Sequence, residues 1–117
     1  MKVKEYYEKD FQFSSGGVAG KDYRTFEKQC KKEVKQMAEE AGFTLHKFNP
    51  MHYEWTAVLE RDGKFVYVHM SDVRFWGNNW YNDILIRTMA HESDWRGGHN
   101  NKCSFNQIGV VADRISK

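Results

Sequence analysis

Arg24, Lys28, Lys31 or Lys32, and Lys35 recur at intervals of three and four residues, the spacing that gathers side chains on one face of a helix. A row of cations is chemistry for anions: the phosphate backbone of a nucleic acid, or an acidic protein surface. A merely solvated helix face also accounts for it, since Glu27 and Lys31 stand four residues apart and support each other. Glu39 and Glu40 close the same segment, so its charges run against the helix macrodipole. Each misplaced exposed charge costs about a few tenths of a kcal/mol, which a fold tolerates.

A second group joins Trp76, Trp80, Tyr81 and Trp95 with Arg74, Arg87 and Arg96. Rings interleaved with guanidinium groups suit base stacking or a protein hot spot. They also suit a lid packed over Phe65 and Tyr67. Trp95-Arg96-Gly97-Gly98 is the best candidate for an exposed ring on a loop.

The third group carries donor atoms. His91, His99 and Cys103 are of types that zinc accepts, but neither H-E-x-x-H nor a C-x-x-C pair is present, so they are weak ligand candidates. Pairing Cys103 with His91 or His99 for nucleophilic catalysis lacks a feature that lowers the thiol pKa, apart from a nearby helix start. His69, beside Glu54 and Thr56 on one sheet face, has the makings of an acid–base group. Ser15 to Asp22 has the outline of a phosphate loop. The G-x-x-x-x-G-K-[ST] pattern requires Gly where Ser15 stands and Ser or Thr where Asp22 stands, so no nucleotide site is expected there. These patterns assign no catalytic residue, no metal and no cofactor.

The elements that must position these groups follow from periodicity. Asp22 is a candidate N-cap for a helix ending near Gly42, with Tyr23, Phe26, Cys30, Val34, Met37 and Ala41 on its apolar face. Phe43 to Phe48 reads as a short strand closed by an Asn49-Pro50 turn. His52 to Glu60 and Lys64 to Met70 alternate on either side of Asp62-Gly63, a type I′ hairpin signal. With those two residues as the loop, Leu59 faces Val66, Ala57 faces Val68 and Trp55 faces Met70. These pairs form one apolar face; Phe65, Tyr67 and His69 lie on the other. Tyr81, Ile84, Leu85, Thr88 and Met89 fit a second helix, although Ile84-Leu85-Ile86 also fits a buried strand. Asp94 to Asn101 reads as a loop. Ser104-Phe105-Asn106-Gln107 has the form of a capping box, with Cys103 and Ile108 as its hydrophobic staple. Ile108, Val111, Ala112 and Ile115 then line a last helix.

The expected architecture is therefore α+β: a long helix on a three-stranded antiparallel sheet, followed by two shorter helices, in the order α-β-β-β-α-α. Residues 1–20 form an arm and a Gly-rich loop, and residues 21–117 a single domain. The length of 117 residues suits one domain able to bury a core of its own. A net charge of +2 excludes a chain that coats polyanions over its whole surface, though not a local basic face. Four Trp, six Tyr and eight Phe are the compositional oddity, and some of these rings must be core. Two cysteines cannot build a disulfide framework, and no apolar run serves as a leader or a membrane span. A cytoplasmic protein without membrane partners is expected.

Phe65-Val66-Tyr67-Val68, Ser71-Asp72-Val73-Arg74-Phe75, Trp80 to Thr88 and the Gly97-Gly98…Asn100-Asn101 loop resemble short accessory proteins of phages and integrative elements of Gram-positive bacteria. That group includes anti-CRISPR proteins. The resemblance spans residues 65–108 and implies a mobile-element origin and a host protein or nucleoprotein partner, a CRISPR effector among them. The order α-β-β-β-α is also similar to that of double-stranded-RNA-binding domains. Asn78, Asn79, Trp80 and Tyr81 stand where that family has a lysine cluster, which argues against A-form duplex recognition by that route. The leading expectation is a non-enzymatic inhibitor of a host nucleoprotein. Direct nucleic-acid binding through the basic helix face is the alternative, and a small metal-dependent enzyme the third reading.

Overall fold

Antiparallel pairing runs in chain order through β1 (Thr44–Pro50), β2 (Trp55–Arg61), β3 (Lys64–Met70), β4 (Ile84–Met89) and β5 (Asn101–Cys103). The helices are α1 (Lys2–Glu8), α2 (Lys21–Glu40) and α3 (Ile108–Ile115). This computed structural model describes residues 2–9, 13, 21–74, 79–94 and 97–117. The fold is α+β, as the periodicity predicts, but its sheet has five strands rather than three.

α2 forms where the apolar spacing places it. Tyr23, Phe26, Cys30, Val34 and Met37 are buried along one stripe. The helix begins at Lys21, one residue before the expected cap, and the Asp22 carboxylate accepts the Tyr23 N–H at 2.8 Å. Its end is a Schellman motif. Gly42 takes φ +84°, its N–H donates to Glu39 O at 3.0 Å, and the Phe43 N–H donates to Ala38 O at 2.8 Å. The stripe seats on Trp55 and Leu59 of β2, both fully buried, and the registers put Ala57, Val66 and Val68 on the same sheet face.

The β2–β3 hairpin has the register that the Asp62-Gly63 loop dictates, from Arg61↔Lys64 out to Trp55↔Met70. Both loop residues have positive φ, 52° and 79°, as a type I′ turn requires. The β1–β2 turn lies later than expected. Pro50 still pairs with Trp55, and the reversal is made by 51–54, with the Met51 N–H donating to Glu54 O at 3.0 Å. Tyr53 sits there at φ 62°, a conformation that costs a non-glycine residue about 1–2 kcal/mol. Its ring is fully buried beside Tyr23, with centroids 4.9 Å apart, and that burial offsets the strain.

The segment expected as a second helix is strand β4. Tyr81, Ile84, Leu85, Thr88 and Met89 satisfy a helical period, yet β3 offers an unpaired edge, and Ile86 completes it opposite Val68. Pairing with the sheet outweighs the weak local preference. Residues 101–103, expected to end or follow a loop, form β5. Ser104 opens a 3₁₀ turn, Phe105–Gln107, and its hydroxyl donates to Asn82 Oδ1 at 3.1 Å instead of capping a helix, so the capping box is not made. α3 buries Ile108, Val111 and Ala112, and packs against α2 and β4 on the helix-bearing face of the sheet. Gly109 allows the approach: a Cβ there would stand 2.8 Å from Met37 O.

α1 is an element the periodicity did not predict. Val3 is fully buried, and Tyr6 and Tyr7 pack on the core. The Gly-rich segment 14–20 lies outside the described residues.

Candidate functional site

From Arg24 to Lys35, α2 separates its charges by face; the exposed Glu39 and Glu40 follow in its last turn. Arg24, Lys28, Lys31, Lys32 and Lys35 are all exposed, while Glu27 is half-buried and Glu33 is buried. The reason is legible in the helical wheel. Glu27 lies four residues after Tyr23 and three before Cys30; Glu33 lies three after Cys30 and four before Met37. Both carboxylates therefore share the apolar stripe, and the bases are left outside. Among the described residues, no ion pair engages Lys28, Lys31, Lys32 or Lys35.

Each inward acid is held differently. Glu33 Oε2 accepts the Val3 N–H at 3.1 Å and Gln29 Nε2 at 2.8 Å. Burial raises the Glu27 carboxyl above its ordinary value, against the lowering influence of Tyr23 and Arg24. The outward bases are flanked by shallow grooves. One, between α1 and α2, is lined by the cations Lys2 and Lys32 together with Gln29, Gln36, Glu33 and Glu40; the other, at the start of α2, by Arg24 and His52 together with Glu27, Pro50 and Met51. Lys2 is a cation that sequence spacing did not connect with the stripe, because only the packing of α1 on α2 brings it beside Lys32.

The described members of the aromatic–arginine group, Arg74, Trp80, Tyr81 and Arg87, are engaged within the fold. Trp80 is 3% exposed and packs edge-on against Phe26, with centroids 5.2 Å apart, under Tyr7 and Phe13. Tyr81 is buried in a stack with Tyr7 at 4.8 Å. Arg74 grips Asp72 through Nε at 3.0 Å and Nη2 at 2.7 Å, and its guanidinium lies 4.0 Å over the Tyr53 ring. Arg87 is 6% exposed, lies 4.8 Å over Tyr67, and donates to Gly97 O and Asp94 O. Trp80 and Arg87 are buried, and Arg74 is held by Asp72 and Tyr53 while remaining partly exposed. The aliphatic supply is thin, so these rings and their cations are the packing material. Trp76, Trp95 and Arg96 lie outside the described residues.

His91, His99 and Cys103 are not brought together. Among the described residues, no three His, Cys, Asp or Glu side chains gather around a point where a metal ion could sit. His91 and His99 are exposed in the β4–β5 connection, and His91 Nδ1 accepts the Ser93 N–H at 3.2 Å. Cys103 packs on the core from β5, and burial pushes its thiol up to about 11, so it is no nucleophile at neutral pH. His69 does meet Glu54, Nε2 to Oε2 at 2.8 Å, on the sheet face opposite α2. A similar pair, His46 Nε2 and Glu92 Oε2 at 2.5 Å, ties β1 to the β4–β5 connection. No helix among the described residues is long and apolar enough to cross a membrane.

Comparison with protein-family models, with curated proteins and with solved structures finds no match.

Proposed function

We propose that the chain is a non-enzymatic binding protein of a mobile genetic element, acting in the host cytoplasm as an inhibitor of a nucleoprotein complex of the CRISPR-effector type. Its contact surface is the outward face of α2. The observation that carries the binding part is the charge arrangement from Arg24 to Lys35: the bases face outward with no ion pair to the lysines among the described residues, Glu27 and Glu33 turn inward, and the exposed Glu39 and Glu40 stand beyond the row. A solvated helix face needs no such segregation, and surface acids interleaved with the bases would cancel the field that attracts an anionic partner. The mobile-element origin and the CRISPR-effector target rest on the resemblance of residues 65–108. An enzyme built on His91, His99 and Cys103 finds no support in where those side chains lie.

The test is inhibition. A panel of purified effectors is assayed for target cleavage with and without the protein. At least one is expected to lose activity, and charge reversal by Lys28→Glu with Lys32→Glu to restore it. A panel in which no effector is inhibited or bound would overturn the proposal.

A further inference from the structure

We infer that the outward face of α2 binds the phosphate backbone of a nucleic-acid duplex without reading its sequence. The inference rests on the proposal above only in taking that face as the contact surface; it assigns the chemistry of what is touched.

The composition of the face points to phosphate rather than to protein. Protein interfaces place aromatic residues, Met and Arg at their centre and are depleted in Lys. Here lysines dominate at 28, 31, 32 and 35, with Arg24 at one end and the exposed Glu39 one turn beyond the other. The large hydrophobic side chains exposed among the described residues are Met51 and Val110, and neither belongs to α2. Such a surface has no anchor for a protein pocket. It has the ammonium groups that hold phosphate oxygens.

Geometry agrees. From Arg24 to Lys35 the helix rises about 16 Å, at about 1.5 Å per residue. A duplex carries one phosphate charge per about 1.7 Å of its axis, so a row of that length meets more charge than it can neutralise, and about four of its cations are taken to reach phosphates. Lys2, lining the groove beside Lys32, widens the row toward α1.

Sequence readout and single strands are disfavoured by the same surface. The neutral polar groups between the bases are engaged within the helix. Thr25 Oγ1 donates to Lys21 O at 3.1 Å, and Gln36 Nε2 reaches Glu40 Oε1 at 3.5 Å. Neither is free for a base edge. Single-strand binding draws on rings that stack against bases. The rings on α2, Tyr23 and Phe26, are buried.

The experiment is fluorescence anisotropy of the whole protein with a labelled duplex of arbitrary sequence, titrated between about 50 and 200 mM salt. With about four phosphates neutralised, log affinity should fall against log salt with a slope of about −3.6, close to a hundredfold across that range. Shuffling the sequence should leave affinity within about twofold. Lys28→Ala with Lys32→Ala should make the slope shallower by about 2, at unchanged circular dichroism. Lys47→Ala, on the opposite sheet face, should change neither slope nor affinity. No binding at about 50 mM, a flat salt response, or a slope indifferent to the α2 lysines overturns the inference. If the duplex is not bound and Lys28→Glu with Lys32→Glu still abolishes inhibition of an effector, the partner surface is acidic protein: this inference falls and the proposed function stands. Duplex binding with no effector inhibited gives the reverse.

Discussion

Glu33 Oε2 of α2 accepts the backbone N–H of Val3 at 3.1 Å, so a buried carboxyl group sits at the start of α1. Thirty positions of chain separate the two residues, and Val3 is fully buried at the junction. Removing the acceptor leaves a buried N–H unpaired. Glu33→Ala is expected to lower unfolding stability by about 1–2 kcal/mol, read from urea denaturation. Glu33→Gln keeps an acceptor and should lose less. Equal losses in the two variants would show that the charge, not the hydrogen bond, holds α1.

Gly109 sets two effects against each other. Alanine in a helix is favoured over glycine by about 1 kcal/mol. The added Cβ would lie 2.8 Å from the Met37 carbonyl oxygen, which is helix backbone and cannot step aside. Overpacking of that kind costs about 1–3 kcal/mol. Gly109→Ala should therefore destabilise the protein on balance, and a rise in melting temperature would contradict the close approach of α3 to α2.

Asp72 links stability to acid. Burial alone would raise its carboxyl, but the hydrogen bonds and charge of Arg74 outweigh burial and hold it below its ordinary value. A depressed carboxyl stabilises the fold above the unfolded value, about 3.9, and that contribution is lost as pH falls through the folded value. Carboxyl titration by NMR should find Asp72 titrating below the usual range. In Arg74→Met the guanidinium is lost while the backbone N–H of residue 74 and the charge of His52 still oppose burial, so the titration should move upward.

The thiols should be inert. Cys30 is fully buried and its thiol is pushed well above the ordinary value; Cys103 is raised to about 11, burial being the main cause. A thiol reagent at about pH 8 should label neither at an appreciable rate in the native protein and both after unfolding. Rapid labelling of Cys103 in the native state would contradict its packing against the core.

What was readable in advance divides along local and non-local causes. Tyr23 to Met37 and the Asp62-Gly63 hairpin carry their own instructions, a period and a turn, and α2 and the β2–β3 register follow from them. Ile84 to Met89 does not: its pattern fits either period, and only the edge of β3 decides. The same division holds for the site. The basic stripe was visible as spacing, and the inward placement of Glu27 and Glu33 was implied by that spacing once the apolar stripe was drawn. Trp80 and Arg87 could not be sorted from the sequence, because Tyr7, Phe13 and the Gly97 carbonyl that cover them come from distant segments. Residue type says that a ring or a guanidinium group wants a partner, and not whether the partner belongs to the same chain.

The sheet's first strand bears on how the molecule behaves in a crowded solution. β1 is an edge of seven residues, long enough to template a strand from a neighbouring molecule. The register slips between Leu45 and Lys47, Lys47 is exposed, and Pro50 removes the last amide donor. The opposite edge, β5, is three residues long. Both borders are poor templates for fibrillar growth, so the protein can reach high concentration without its sheets joining edge to edge.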